Sequence, residues 1–162
     1  MPTSWASNGS SPMLSKQPIF TIHAKLEAAS NLGRTPYGER RIIGIAGGIV
    51  RGPKLTGHIL PGGADWQIIR ADGAADIKAR YTIETEAGAR IMVTSEGLRH
   101  GPREVMEKVA RGDNVDPALY YFRTVMRFET ADPAVDWLNR ILALAQGQRE
   151  QHAVRLDVYE VE

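Results

Sequence analysis

The most regular feature of the chain is an alternation of apolar and polar residues. It is clearest over residues 76–84, where one side of the pattern is apolar: Ile77, Ala79, Tyr81 and Ile83. A period of two residues is typical of a β-strand with one buried face. Similar alternation, or a short apolar run between turn residues, predicts further strands over 20–27, 41–50, 54–60, 66–71, 90–95, 120–128, 141–145 and 153–161.

Two segments depart from this period and predict short helices. Over 102–111, Pro102 opens a stretch whose apolar residues recur at helical spacing, and Gly112 follows as a stop signal. Over 133–139, Asp132 and Pro133 are a helix cap and a first helical residue.

Many short strands with only two helices predict an all-β domain, either a sandwich or a closed barrel. Glycines within the strands favour the closed antiparallel barrel, because strong curvature needs them. We expect one domain over 17–162. Residues 1–16 are rich in Ser, Pro, Asn and Gly without periodicity, so we expect a disordered tail there.

Composition excludes several classes of function. A net charge of +1 gives no electrostatic case for binding nucleic acid. The absence of cysteine excludes thiolate catalysis, disulfides and thiol–metal sites. There is no apolar run of membrane-spanning length and no secretory pattern at the start, so we expect a cytoplasmic protein without a membrane partner. We expect a homo-oligomer, with a dimer favoured, because small barrels with exposed aromatics often bury one face against a copy.

Several segments, in this order along the chain, are similar to a family of small uncharacterised proteins, domain of unknown function 3237. The segments are LGRTPYGERR (32–41), GGIVRGPKLTG (47–57), LPGGADW (60–66), ARY (79–81), YFRT (121–124) and WLNR (137–140). The resemblance implies a compact antiparallel barrel of the lipocalin or allene-oxide-cyclase sort. It implies no settled activity.

The first candidate site surrounds Pro61, Gly62 and Gly63, which predict a sharp turn at a barrel mouth. Asp65 follows the turn and is a candidate general base or orienting carboxylate, or else it only bonds backbone N–H groups of the turn. Trp66 is a candidate stacking wall for a planar ligand, or else a core aromatic.

Other candidates lie on two later strands. Arg80 would stabilise negative charge if the polar side of 76–84 faces the lumen, but the alternation does not say which side is inside. Tyr121 beside Arg123 is a candidate proton donor, or else a rim pair in which Arg123 stacks on the ring. His58 precedes the turn and is a candidate substrate contact.

Neither a metal nor another cofactor is expected. The histidines do not pair at metal-binding spacing, and no phosphate-binding or dinucleotide fingerprint is present. We therefore predict a cofactor-independent acid/base enzyme of the isomerase, cyclase, lyase or hydratase type, acting on a small, partly apolar carbonyl or aromatic compound. In it, Asp65, Arg80 and Tyr121 would be catalytic, and Trp66, His58 and Arg123 would bind substrate. The alternatives are a non-catalytic barrel that binds an amphipathic acid and a structural oligomer.

Overall fold

The structure, a computed structural model, describes residues 13–162. Its strands form a closed antiparallel barrel in which each strand pairs with the next along the chain and the last pairs with the first. This confirms the predicted fold class. The strands are β1 (Phe20–Thr35), β2 (Gly38–Arg51), β3 (Gly57–Ile69), β4 (Ala75–Thr85), β5 (Arg90–His100), β6 (Tyr121–Thr130), β7 (Leu142–Arg149) and β8 (Ala153–Val161).

Two short helices connect strands, as predicted. The helix α1 (Arg103–Ala110) follows β5, and a 3-10 helix (Pro133–Arg140) links β6 to β7. The side chain of Asp132 caps the 3-10 helix by accepting a hydrogen bond from the Ala134 N–H at 2.9 Å. A shorter 3-10 turn (Pro117–Leu119) precedes β6. No helix in the described part of the chain is long and apolar enough to cross a membrane.

The segment predicted as a sharp turn lies instead inside β3. Residues 54–60 and 66–71 were expected to be separate strands, but one strand runs through Pro61, Gly62 and Gly63. The register of β3 against β4 shifts between Leu60 and Ala64, so the extra residues form a bulge. Gly62 has φ +107° there, a conformation that suits glycine. This segment therefore curves the barrel wall and does not form a mouth.

The barrel interior is divided into an apolar end and a polar end. The apolar end packs fully buried side chains, including Phe20, Ile83 and Ile91, and Leu138 of the 3-10 helix joins this core. The polar end lies toward the β1–β2, β3–β4 and β7–β8 hairpins. A site within the barrel is therefore confined to the polar end.

The predicted tail falls mostly on residues 1–12, outside the described residues. Its last residues are attached to the barrel: Leu14 pairs with Val161, and the Ser15 N–H donates to the Glu160 carbonyl at 2.9 Å. Leu14 and Ser15, which belong to the predicted tail, therefore pair with β8.

Candidate active site

A cavity of about 50 Å³ lies in the polar half of the barrel. Apolar side chains such as Ile45, Ile77 and Leu156 form part of its wall. The polar part of the wall comes from five strands, with these residues: Asp65, Gln67, Tyr81, Ser95, Arg99, Thr124 and Arg149. The cavity thus combines an apolar surface with a few convergent polar groups, as small-molecule sites do.

Among the described residues, Asp65 is the only carboxylate in this wall. Its register on β3, opposite Ala79 on β4, turns its side chain toward the lumen. Asp65 Oδ2 accepts from Gln67 Nε2 at 2.7 Å, and Oδ1 accepts from the Lys78 backbone N–H at 3.1 Å. Burial raises the pKa of Asp65 above its usual 3.8, outweighing these bonds and the attraction of Arg99 and Arg41. Asp65 is therefore suited to exchange protons nearer neutral pH than an ordinary Asp.

Arg99 on β5 is a buried guanidinium, with only 6% of its surface exposed. Its guanidinium carbon lies 5.3 Å from the centroid of the Phe122 ring. Burial, followed by repulsion from Arg149 and Arg41, lowers the pKa of Arg99 to about 10. Arg99 nevertheless stays charged at neutral pH, so the cavity wall carries a permanent cation.

Two further arginines hold positive charge beside the cavity. Arg41 Nη2 donates to Gln67 Oε1 at 2.8 Å, so Gln67 links this guanidinium to Asp65. Arg149 Nη1 donates to the carbonyls of Glu150 and Ala153, the latter at 3.1 Å. Burial lowers the pKa of Arg149 as well. These hydrogen bonds go to neutral groups, and among residues 13–162 no Asp or Glu oxygen lies within 4.0 Å of either guanidinium.

Three buried polar groups in the wall have no hydrogen-bond partner among the described protein atoms: the Tyr81 hydroxyl, Arg99 Nε and Thr124 Oγ1. Burial, aided by the charge of Asp65, raises the pKa of the Tyr81 hydroxyl well above its usual range. Tyr81 therefore stays protonated at neutral pH. All three groups are able to donate a hydrogen bond to an oxygen in the cavity.

The predicted convergence of Asp65, Trp66, Arg80 and Tyr121 on one cavity is wrong. Only Asp65 lines the interior. Trp66 and Arg80 lie together on the outer wall of β3 and β4, where Trp66 is 41% exposed. Successive side chains of a strand point to opposite faces of the sheet. Because Asp65 and Tyr81 face inward, their neighbours Trp66 and Arg80 face outward.

The other predicted site residues also lie outside. Tyr121 stacks on His100 with 5.0 Å between ring centroids, and the guanidinium of Arg123 lies 5.5 Å from the centre of the Tyr121 ring. This is the rim arrangement that the sequence left open as an alternative. His58 is exposed, with Nε2 3.8 Å from a carboxylate oxygen of Glu84. None of these residues contributes to the interior cavity.

Sequence reasoning missed Tyr81, Arg99, Thr124 and Arg149 as site residues. A signal for Arg99 was present, since it continues the apolar phase of β5 that begins with Ile91 and Val93. A charged residue in the buried phase of a strand needs a partner or a function. The same holds for Arg149, which follows Ala143 and Ala145 in the buried phase of β7.

Residues 13–162 contain no group of three or more His, Asp or Glu side chains placed to hold a metal ion. The described interior offers one carboxylate and several donors, and it has no histidine. A carboxyl group can exchange a proton, and hydrogen-bond donors and arginines can stabilise negative charge.

Comparison with known proteins agrees with this architecture. A family model described as "Protein of unknown function (DUF3237)" matches residues 14–161. The chain belongs to the DUF3237 family. A UPF0311 protein of Rhodopseudomonas palustris is 41% identical over 150 residues, which cover 93% of this chain and 98% of that protein.

Solved structures extend the comparison beyond close relatives. A β-barrel-like protein from Acinetobacter baumannii is 40% identical and superposes with a TM-score of 0.81, covering 95% of this chain and 99% of that one. An enzyme from Penicillium herquei superposes with a TM-score of 0.69 at 22% identity, covering 95% and 99%. The DUF3237 barrel thus shares its fold with an enzyme, and at this identity the likeness concerns the fold alone.

Proposed function

We propose that this DUF3237 protein is a cofactor-independent acid/base enzyme of the isomerase, cyclase, lyase or hydratase type. Its substrate would be a small, partly apolar carbonyl or aromatic compound held in the barrel interior. The observation that carries the proposal is the position of Asp65, a carboxyl group with a raised pKa in the same cavity wall as a buried arginine. Perturbed carboxyls beside a fixed cation are frequent in catalytic sites.

The residues suit distinct roles in proton transfer. Asp65 would take a proton from a carbon next to a carbonyl, and the C–H electron pair would form an enolate. The protonated hydroxyl of Tyr81 would donate to the enolate oxygen, and the nearby positive charge of Arg99 would stabilise the anion. In a β,γ-unsaturated carbonyl compound the resulting dienolate also carries negative charge on its γ-carbon. The carboxyl group would then return the proton to that carbon as the double bond shifts into conjugation, which gives an isomer. The apolar wall would hold the rest of the substrate.

Exchange of substrate protons with solvent tests this role without knowledge of the natural substrate. A panel of small carbonyl compounds, including phenylpyruvate and 4-phenyl-2-butanone, is incubated with protein in deuterated water and followed by proton NMR. We expect wild-type protein to accelerate deuterium uptake next to the carbonyl of at least one member, and Asp65→Asn to abolish the acceleration. Asp76→Asn, on the outer side of β4, is the matched control and should keep it.

Two results would contradict the proposal. One is equal acceleration by wild type and Asp65→Asn, which would place the chemistry elsewhere. The other is no acceleration across the panel. If the compounds still bind, that outcome would favour a barrel that binds an acid without converting it. The surplus of arginines around the cavity supports this alternative function.

A further inference from the structure

The strongest unexplained feature of the interior is its imbalance of charge. The guanidinium groups of Arg41, Arg99 and Arg149 all lie close enough to interact with one carboxylate, Asp65. None of the three has an Asp or Glu oxygen within 4.0 Å among residues 13–162. An uncompensated charge in a protein interior is costly, so such a cluster is expected to have an anionic partner.

Arg99 is the member best placed to receive that partner. Arg41 and Arg149 donate to Gln67 and to backbone carbonyls. The Nε atoms of Arg99 and Arg41 are both buried without a partner among residues 13–162, but Arg99 lines the cavity and Arg41 does not. The guanidinium lies over the Phe122 ring, with its carbon 5.3 Å from the ring centroid. A guanidinium presents parallel N–H groups that match the two oxygens of a carboxylate.

Thr124, on the neighbouring strand β6, provides a second buried donor. Its hydroxyl is buried, with 3% of the residue exposed, and has no partner among the described atoms. Thr124 lies opposite Gly97 in the β5–β6 ladder, and Arg99 lies opposite Phe122. Both side chains line the same cavity of about 50 Å³, which is enough for a carboxylate group.

We propose that the interior binds the carboxylate of a small organic acid, held by the Arg99 guanidinium and the Thr124 hydroxyl, with Arg41 and Arg149 adding positive potential. The inference rests on the proposed function in treating this acid as a substrate. It adds that the substrate carries a permanent anionic group besides the atoms that react at Asp65. Uncharged ketones of the same shape would then be poor substrates.

Binding of simple acids and their amides tests the site. Benzoate and propionate are titrated into the ¹⁵N-labelled protein by NMR, with benzamide and propionamide as uncharged counterparts. We expect shifts of interior amides with the acids and at least tenfold weaker binding of the amides. Arg99→Gln should weaken acid binding about ten- to hundredfold, the effect of losing hydrogen bonds to a charged group.

Matched variants separate the site from the outer surface and from folding. Arg80→Gln, on the outer wall, should leave the affinity for acids within about twofold of the wild-type value, because Arg80 lies outside the site. Thr124→Val keeps the shape of the side chain and should weaken binding several-fold, which covers the case in which Arg99→Gln does not fold. Asp65→Asn should bind acids at least as tightly as wild type, because a negative charge has been removed from the wall.

The outcomes distinguish the two proposals. Equal binding of acids and amides, no binding of either, or equal losses in Arg80→Gln and Arg99→Gln would overturn the carboxylate site. Arg99-dependent acid binding without any deuterium uptake would uphold the site and contradict the enzyme. Deuterium uptake that needs Asp65, together with equal binding of acids and amides, would uphold the enzyme and contradict the carboxylate site.

Discussion

Gln67 joins Asp65 to Arg41: its Nε2 donates to Asp65 Oδ2 at 2.7 Å while its Oε1 accepts from Arg41 Nη2 at 2.8 Å. A hydrogen bond donated to a carboxylate favours the ionised form, so Gln67 lowers the pKa of Asp65 against the larger effect of burial. The position of this amide sets how far the carboxyl group departs from an ordinary Asp.

Replacing Gln67 by leucine should therefore raise the pKa of Asp65 further. The variant keeps a side chain of similar size but removes the donor. Carboxyl ¹³C NMR, with Asp65→Asn used to assign the signal, measures the change. Gln146→Leu, whose side chain is exposed on β7, is the control and should leave the titration unchanged. An unchanged or lower pKa in Gln67→Leu would show that the hydrogen bond does not tune Asp65.

Asp65 should also make stability depend on pH. Since its pKa is higher in the folded chain than the usual 3.8, the folded state binds more protons than the unfolded state between these two pKa values. The free energy of unfolding contributed by Asp65 therefore falls as the pH rises through this window. Relative to wild type, Asp65→Asn should become more stable as the pH rises from 3.8 through the raised pKa of Asp65 in the folded chain. Urea unfolding at several pH values measures this difference, and the opposite slope would contradict the raised pKa.

Arg99 should lower the stability of the folded protein. Its pKa of about 10, against 12.5 for an ordinary arginine, shows that folding disfavours the charged form. We expect Arg99→Met to raise the free energy of unfolding by about 1–3 kcal/mol, because it removes a buried charge without a partner. Chemical unfolding measures the gain. Arg127→Met, whose side chain is exposed on β6, should change stability little, and a large loss in Arg99→Met would show that the guanidinium is already compensated.

The outer wall offers a surface for the expected dimer. Met92 and Val125 are 44% and 49% exposed and line one cleft with Glu96 and Arg127. An apolar patch flanked by both charge signs suits pairing with a second copy. We expect light scattering to give the mass of a dimer at micromolar concentration and Val125→Glu to give that of a monomer. A wild-type monomer across this range would contradict the prediction.

The sequence predicted the strands and the closed barrel because these depend on local alternation and on turn chemistry. Residues 76–84 illustrate this, since β4 occupies Ala75–Thr85. The Pro61–Gly63 segment was misjudged because a bulge and a turn use the same residue types, and only the pairing with β4 distinguishes them.

The site was harder to predict, because alternation does not tell which face is inside. The polar face of β4, with Arg80, was an equally possible lumen until closure of the sheet placed Tyr81 inside. Convergence of Asp65 with Arg99 also depends on the register of β3, β4 and β5 together, which no short motif encodes. Asp65 was predicted as a site residue because it follows Pro61, Gly62 and Gly63, which are residue types typical of a turn.

The acid/base role of Asp65 and the carboxylate site are tested most directly by titrating the Asp65 carboxyl group by ¹³C NMR, with and without saturating benzoate. We expect a pKa of Asp65 above 3.8 in the free protein, because burial outweighs the nearby arginines. We expect a further rise with benzoate, because a bound carboxylate beside Asp65 disfavours a second negative charge. A free pKa at or below 3.8, together with no response to benzoate, would contradict both the acid/base role of Asp65 and the carboxylate site.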